Sequence, residues 1–199
     1  MVSYLANSPL IAWVSPVVLS VIAGVACIAY YRPLSDRRRV RIFMILAGAA
    51  IAFRFLFAGV KTGLQYSLWM SSALSRFLLP PHQNIAIFLH YSWTHFWLNA
   101  FISTGAALLF FGILRLLQSH NPRYFEAGEA ELGFVMALVV GWPQFIVFIP
   151  AVFLLVVGIS IVRGVFLHEP YTTLGLPFFI AAVAASLIAG TLRSTALFI

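Results

Sequence analysis

The chain has 199 residues, 62% of them hydrophobic and 9% charged, with a mean hydropathy of +1.01. Soluble domains average about 45–50% apolar and about 25% charged residues, so this composition excludes an ordinary soluble domain and a disordered chain; a single cysteine, Cys27, also excludes a disulfide scaffold. Twelve basic residues against five acidic ones give a net charge of +7, which on an integral membrane protein reflects basic loops and needs no nucleic-acid partner.

A membrane helix needs about 20 mostly apolar residues. Residues 9–31 form an uncharged run whose length, with no basic stretch before it, argues against a cleaved signal peptide. A second run covers 42–60 and contains Arg54. Between 61 and 83, Leu64, Leu68, Met70, Leu74 and Leu78 recur among Ser and Gln, the pattern of an amphipathic helix lying in the interface and ended by Pro80-Pro81. The run 84–114 is longer than one span needs, so its first part is expected along the interface. Within it HYSWTHFW carries His90 and His95, about 140° apart on a helix. That separation is poor for joint metal ligation, and the flanking Tyr91, Trp93 and Trp97 suit an aromatic belt.

Three further runs follow: 132–142, short and ending at Gly141-Trp142-Pro143; 144–162; and 174–192. The expectation is an all-α polytopic membrane protein with six membrane helices, or five if 132–142 does not cross. No repeat, linker or second domain is visible, so residues 1–199 form a single integral membrane domain.

Charge gives the orientation. The segment 32–41 holds Arg32, Arg37, Arg38, Arg39 and Arg41. Cytoplasmic loops carry the excess of Lys and Arg, which places this loop inside and the N-terminus outside. Alternating crossings bring 115–131 and 163–173, with Arg115, Arg123 and Arg163, to the same side. Lys61, Arg76 and Arg193 are left outside.

Carboxylates are the scarcest functional group: Asp36, Glu126, Glu129, Glu131 and Glu169 are the full side-chain inventory, and all five fall on the inner side. Acids in EAGEAEL (126–132) suit the first turn of a helix, where the macrodipole favours negative charge. Alternatively Glu129, at the edge of a span, faces a cavity between helices, since ionisable groups at membrane depth tend to be functional. Asp36 in LSDRRRVRI is either ion-paired locally or placed across the inner face from Glu129. Two carboxylates sharing a site have their pKa values driven apart, so that one acts as base and the other as acid on a water. Glu169, beside His168 and Pro170, is expected to be a solvated loop acid, and Cys27 a core residue. No phosphate-binding loop, nucleophile elbow or zinc motif is present, and no metal or cofactor is expected.

The stretch 119–143, SHNPRYFEAGEAELGFVMALVVGWP, resembles the type IV prepilin peptidases. Members carry a GxGD motif, a basic residue and leucine, then an apolar helix. Gly128 and Leu132 match, and Gly141-Trp142-Pro143 closes the helix. Pro177-Phe178, with the small-residue helix that follows to about Gly190, resembles the family's PF segment and last span. A weaker likeness over 29–57 places Asp36 in a basic loop just after a span. Glu129 stands where the family has its aspartate, Glu126 at its first glycine and Glu131 at its lysine; Phe43 and Met44 replace the usual residues after the first site.

The resemblance implies a membrane-embedded aspartyl protease of the bacterial inner membrane that cleaves the leader of type IV prepilins or pseudopilins at the cytoplasmic face. Asp36 and Glu129 would be catalytic, with Gly128, Glu126 and Arg38 contacting substrate. The alternative of a different class is a catalytically degenerate homologue, a non-enzymatic membrane subunit that holds a partner in an assembly. A small transporter is a third option, with little acid in mid-span to build a proton relay.

Overall fold

The computed structural model describes residues 9–120, 125–167 and 173–196. Glu169, Arg123 and His168 lie outside the described residues, as does the side chain of Arg193. The described elements are all helical: α1 (Pro9–Tyr31), α2 (Asp36–Ser71), α3 (Ala86–Ser92), α4 (Leu98–His120), α5 (Glu129–Val140), α6 (Phe145–Val162) and α7 (Gly175–Ala196). A 3₁₀ turn, Ser75–Leu78, and two π-helical turns, Trp93–Trp97 and Arg163–Leu167, complete the set.

Among the described residues four stretches are long and apolar enough to cross a membrane: Trp13–Tyr31, Asp36–Ser71, Ala86–His120 and Phe145–Val165. Their outer faces agree with that. Val17, Val21, Val25 and Ile28 on α1 and Phe153, Leu154, Val157 and Ile161 on α6 are exposed large apolar side chains, the reverse of what water tolerates over so wide an area.

Expected boundaries move in two regions, 61–120 and 132–142. The interfacial helix at 61–83 does not form as a separate element, because α2 continues unbroken to Ser71, 36 residues or about 54 Å. Nothing in Lys61-Thr62-Gly63 breaks a helix, and the polar side chains beyond it are satisfied locally: the Thr62 and Ser67 hydroxyls donate to Ala58 O and Gly63 O at 2.9 and 3.0 Å. Aromatic packing holds the extension. Phe88 meets Tyr66 and Trp69 edge-on at 5.2 and 5.3 Å, and the Trp97 indole N–H donates to Thr62 Oγ1 at 3.1 Å. Residues 86–120 likewise run on as one helical rod through the π-turn rather than dividing into an interfacial piece and a span.

The second shift concerns 132–142. Helix α5 has 12 residues, about 18 Å, short of the roughly 30 Å hydrocarbon layer. Every residue in it except Val139 is buried. It stands as a half-helix inside a ring of α1, α2, α4, α6 and α7. Small residues allow the close approach that packing in a bilayer depends on: Ala26, Ala47, Ala50, Ala107, Ala130, Ala137, Ala181 and Ala185 are at most 1% exposed. Between them sits an aromatic knot in which Phe110 meets Phe145, Phe148 and Phe178 at 5.9, 5.9 and 6.1 Å. Gly133 faces Leu114 and Phe178, where an added Cβ would lie 2.6 and 2.9 Å from their side chains.

Candidate functional site

The polar chemistry of the chain gathers at the two ends of α5. A helix leaves its first N–H and last C=O groups without partners, and its macrodipole favours an anion at the N-terminus and a cation at the C-terminus. Inside an apolar bundle both requirements must be met by the protein itself.

At the N-terminal end, Gly128 precedes the helix with φ +93°, a left-handed conformation that L side chains rarely adopt. A Cβ there would also press on the Arg39 side chain and the Phe43 ring at 3.2–3.3 Å. Glu129, the first residue of α5, is fully buried. Its Oε1 accepts from the Tyr30 hydroxyl of α1 at 3.2 Å and from the backbone N–H groups of Leu174 and Gly175, at the start of α7, at 2.6 and 3.1 Å. Its Oε2 accepts from the Glu126 N–H at 2.9 Å, closing the 126–129 turn. Tyr30 lies so close over Gly175 that a Cβ would stand 2.1 Å from its ring. Arg39 Nη1 donates to Ala127 O at 3.4 Å, and its guanidinium sits 6.0 Å from the Tyr30 ring centre. One carboxylate therefore joins α1, α5 and α7, beside the first turn of α2.

The other acids divide. Glu131 is 1% exposed and ion-paired with the half-exposed Arg115, and its Oε2 has no hydrogen-bond partner. Glu126 is exposed, contributing its backbone rather than its side chain. Asp36 opens α2, where an acid suits the dipole; it is exposed and makes no hydrogen bond or ion pair with a described residue. Arg38 is exposed as well, and the arginine that reaches the 126–129 turn is its neighbour Arg39. The expected site residues Gly128, Glu126 and Glu129 thus share one turn, while Asp36 and Arg38 sit on the adjacent end of α2 without bonds to it.

At the C-terminal end, α5 stops at Gly141, φ +66°. Arg54, from the middle of α2, reaches across and donates through Nε and Nη2 to Leu138 O at 3.0 and 2.6 Å, and through Nη2 to Val139 O at 3.4 Å. Its Nη1 donates to Ser103 Oγ at 3.5 Å; that hydroxyl accepts from the Trp142 N–H at 2.9 Å and donates to Asn99 Oδ1 at 3.1 Å. A Cβ on Gly141 would lie 2.1 Å from Arg54 Nη2. Arg54, Tyr30 and Ser103 were not among the expected site residues. The signal for Arg54 was present: a lone arginine in an apolar run must find carbonyls or an acid, and Gly141-Trp142-Pro143 marks where a buried helix exposes its carbonyls.

An ionised carboxylate has about four acceptor positions, and four donors converge on Glu129. Three of these donors crowd Oε1 and one reaches Oε2, and no second carboxylate among the described residues is bonded to it. Of the two histidines weighed for ligation, His90 and His95, His95 is engaged locally: Nδ1 contacts Tyr91 O at 2.9 Å and Thr94 Oγ1 at 3.0 Å, and the ring stacks on Tyr91 at 4.1 Å. Cys27 is half-buried on α1. No family model matches the sequence, and neither a curated protein nor a solved structure is similar to it.

Proposed function

We propose that this chain is a non-enzymatic helical membrane subunit, built on a plan like that of the prepilin peptidases but using its motif acid as a structural clamp. The observation that carries this reading is the bonding of Glu129. Its carboxylate takes four donors from α1, the start of α7 and its own 126–129 turn, an arrangement that fastens these segments together, and no second carboxylate among the described residues is bonded to it to share acid–base work on a water. The lengthened side chain, Glu where the family has Asp, supports the same reading, since the extra methylene is what carries the carboxylate to the N–H groups of α7. Broad apolar outer faces on α1 and α6 supply surface for lipid and for partner membrane helices.

The bilayer orientation belongs to the same proposal. Tyr30, Arg39, Ala127, Glu129 and Leu174 meet in one bonded cluster, so the ends of α1, α2, α5 and α7 that carry them share one pole. With Arg32, Arg37, Arg38, Arg39 and Arg41 there, that pole is cytoplasmic, the N-terminus is outside, and the membrane is a bacterial inner membrane.

The test is purification of tagged chain from native membranes. Stoichiometric membrane-protein partners with no leader-cleaving activity are expected. A chain that purifies alone and processes a prepilin overturns the proposal. One observation favours the protease as a second reading: Asp36 lies one helical turn before Arg39, the residue that packs on Gly128, so a second carboxylate is on the helix end that borders the 126–129 turn.

A further inference from the structure

The pole opposite Glu129 holds a cavity of about 110 Å³ that neither the motif comparison nor the clamp at Glu129 uses. It is lined by Ser15 of α1, Arg54 and Lys61 of α2, His95 of the π-turn and Asn99 of α4, together with apolar side chains. Its polar lining holds two cations and three neutral hydrogen-bonding side chains, with no carboxylate among the described residues. The described acids all belong to the other pole or to the α2 terminus beside it.

Charge balance makes this arrangement unusual. Among the described residues Arg54 bonds to neutral acceptors, two carbonyls and a hydroxyl. A guanidinium held inside a helical bundle without a counter-charge is costly. Its four bonds use at most four of its five N–H hydrogens, so Nη1 retains a donor. Lys61 lies beside it, its ammonium 4.7 Å from the Phe57 ring centre. His95 enters through a π-helical turn, a distortion that recurs at functional sites. Its Nδ1 is bonded to Tyr91 O and must donate there, which leaves Nε2 of the neutral ring as an acceptor for a protonated oxygen. At about 110 Å³ the space is below the roughly 300–1,000 Å³ of sites for drug-sized ligands but ample for more than one water.

We propose that this cavity binds a small oxyanion of the phosphate class, held by Arg54 and Lys61 with Asn99 and His95 as further hydrogen-bonding groups. A phosphate offers several acceptor oxygens to a guanidinium and an ammonium, and charge-assisted bonds in a desolvated site are stronger than neutral ones. The source is either free phosphate or the headgroup of an anionic phospholipid, which presents the same group at membrane depth.

The experiment uses the full chain. Equilibrium dialysis of radiolabelled orthophosphate against the delipidated protein in a non-ionic detergent tests the free anion. Native mass spectrometry after exchange with vesicles of equal phosphatidylcholine and phosphatidylglycerol tests the headgroup. Lys61→Gln and His95→Ala leave the bonds of Arg54 to α5 in place while the site is weakened, and circular dichroism of each variant checks that it is folded. Saturable orthophosphate binding that falls about tenfold or more in Lys61→Gln supports the site with free phosphate as ligand. Selective retention of phosphatidylglycerol, lost in Lys61→Gln, supports it with a lipid as ligand. Failure of both anions to bind overturns the proposal, as does binding unchanged in both variants.

Discussion

Side-chain length decides what Glu129 does. Its carboxylate reaches both the 126–129 turn of its own segment and the first N–H groups of α7, and Tyr30 closes the set from α1. An aspartate at the same Cα ends one methylene short. Glu129→Asp is therefore expected to lose the bonds to Leu174 and Gly175. Glu129→Gln keeps the reach but turns amide hydrogens toward donors. Each should lower the unfolding free energy in detergent by about 1.5–3 kcal/mol, the range for hydrogen bonds to a charged group. Thermal unfolding followed by circular dichroism measures it, and an unchanged midpoint in both variants would show the carboxylate to be a bystander. The sequence made Glu129 conspicuous through its neighbours Gly128 and Leu132 and through the scarcity of acids. It could not show that the donors come from residues 30 and 174, because contacts at such separation leave no periodic trace. Asp36 was equally conspicuous, and its isolation follows from an exposed first turn that no helical pattern records.

Among the elements, α5 is the one whose ends must be supplied by its surroundings, with Glu129 at one terminus and Arg54 at the other matching the direction of its dipole. Removing the cation in Arg54→Met leaves the Leu138 and Val139 carbonyls without donors, at about 1–3 kcal/mol for each buried group so stranded. Hydrogen exchange should then quicken at Val140 and Gly141, while amides of α6 stay protected. Exchange unchanged at the end of α5 would mean that water or another group serves those carbonyls. Gly141→Ala should reproduce the effect, because a Cβ there both strains the left-handed backbone and displaces the guanidinium. The burial of α5 was partly legible: an apolar run of 10–14 residues suits a core or re-entrant helix better than a span, and 132–142 falls in that window. The uninterrupted course of α2 was not legible, because the hydroxyls of Thr62 and Ser67 make a polar stretch look like a surface helix when they bond back to their own carbonyls.

At the scale of the molecule, four long apolar helices and α7 enclose a short charged-ended helix among the described residues, and the arginines of 32–41 lie at the pole where Glu129 is clamped. If α2 crosses the bilayer, Ser35 before it and Ser72 after it lie on opposite faces. In a chain with Cys27→Ser, Ser35→Cys should be labelled by a membrane-impermeant maleimide only after the inner face is opened, and Ser72→Cys in intact cells. Labelling of both from one side would contradict the orientation. The apolar, membrane-type character was legible in composition, and the many exposed apolar side chains on the helices agree with it. The number of crossings was not, because apolar length alone does not distinguish a helix facing lipid from one, like α5, facing only protein.

The clamp account stands or falls on whether the carboxylate of Glu129 does chemistry. The direct measurement is leader cleavage of a prepilin by the purified full chain in bilayer nanodiscs, alongside Asp36→Asn and Glu129→Gln. The account predicts no cleavage by the unaltered chain, a lowered unfolding midpoint in Glu129→Gln, and an unaltered midpoint in Asp36→Asn. Cleavage that the unaltered chain performs, and that both substitutions abolish without changing stability, would contradict it.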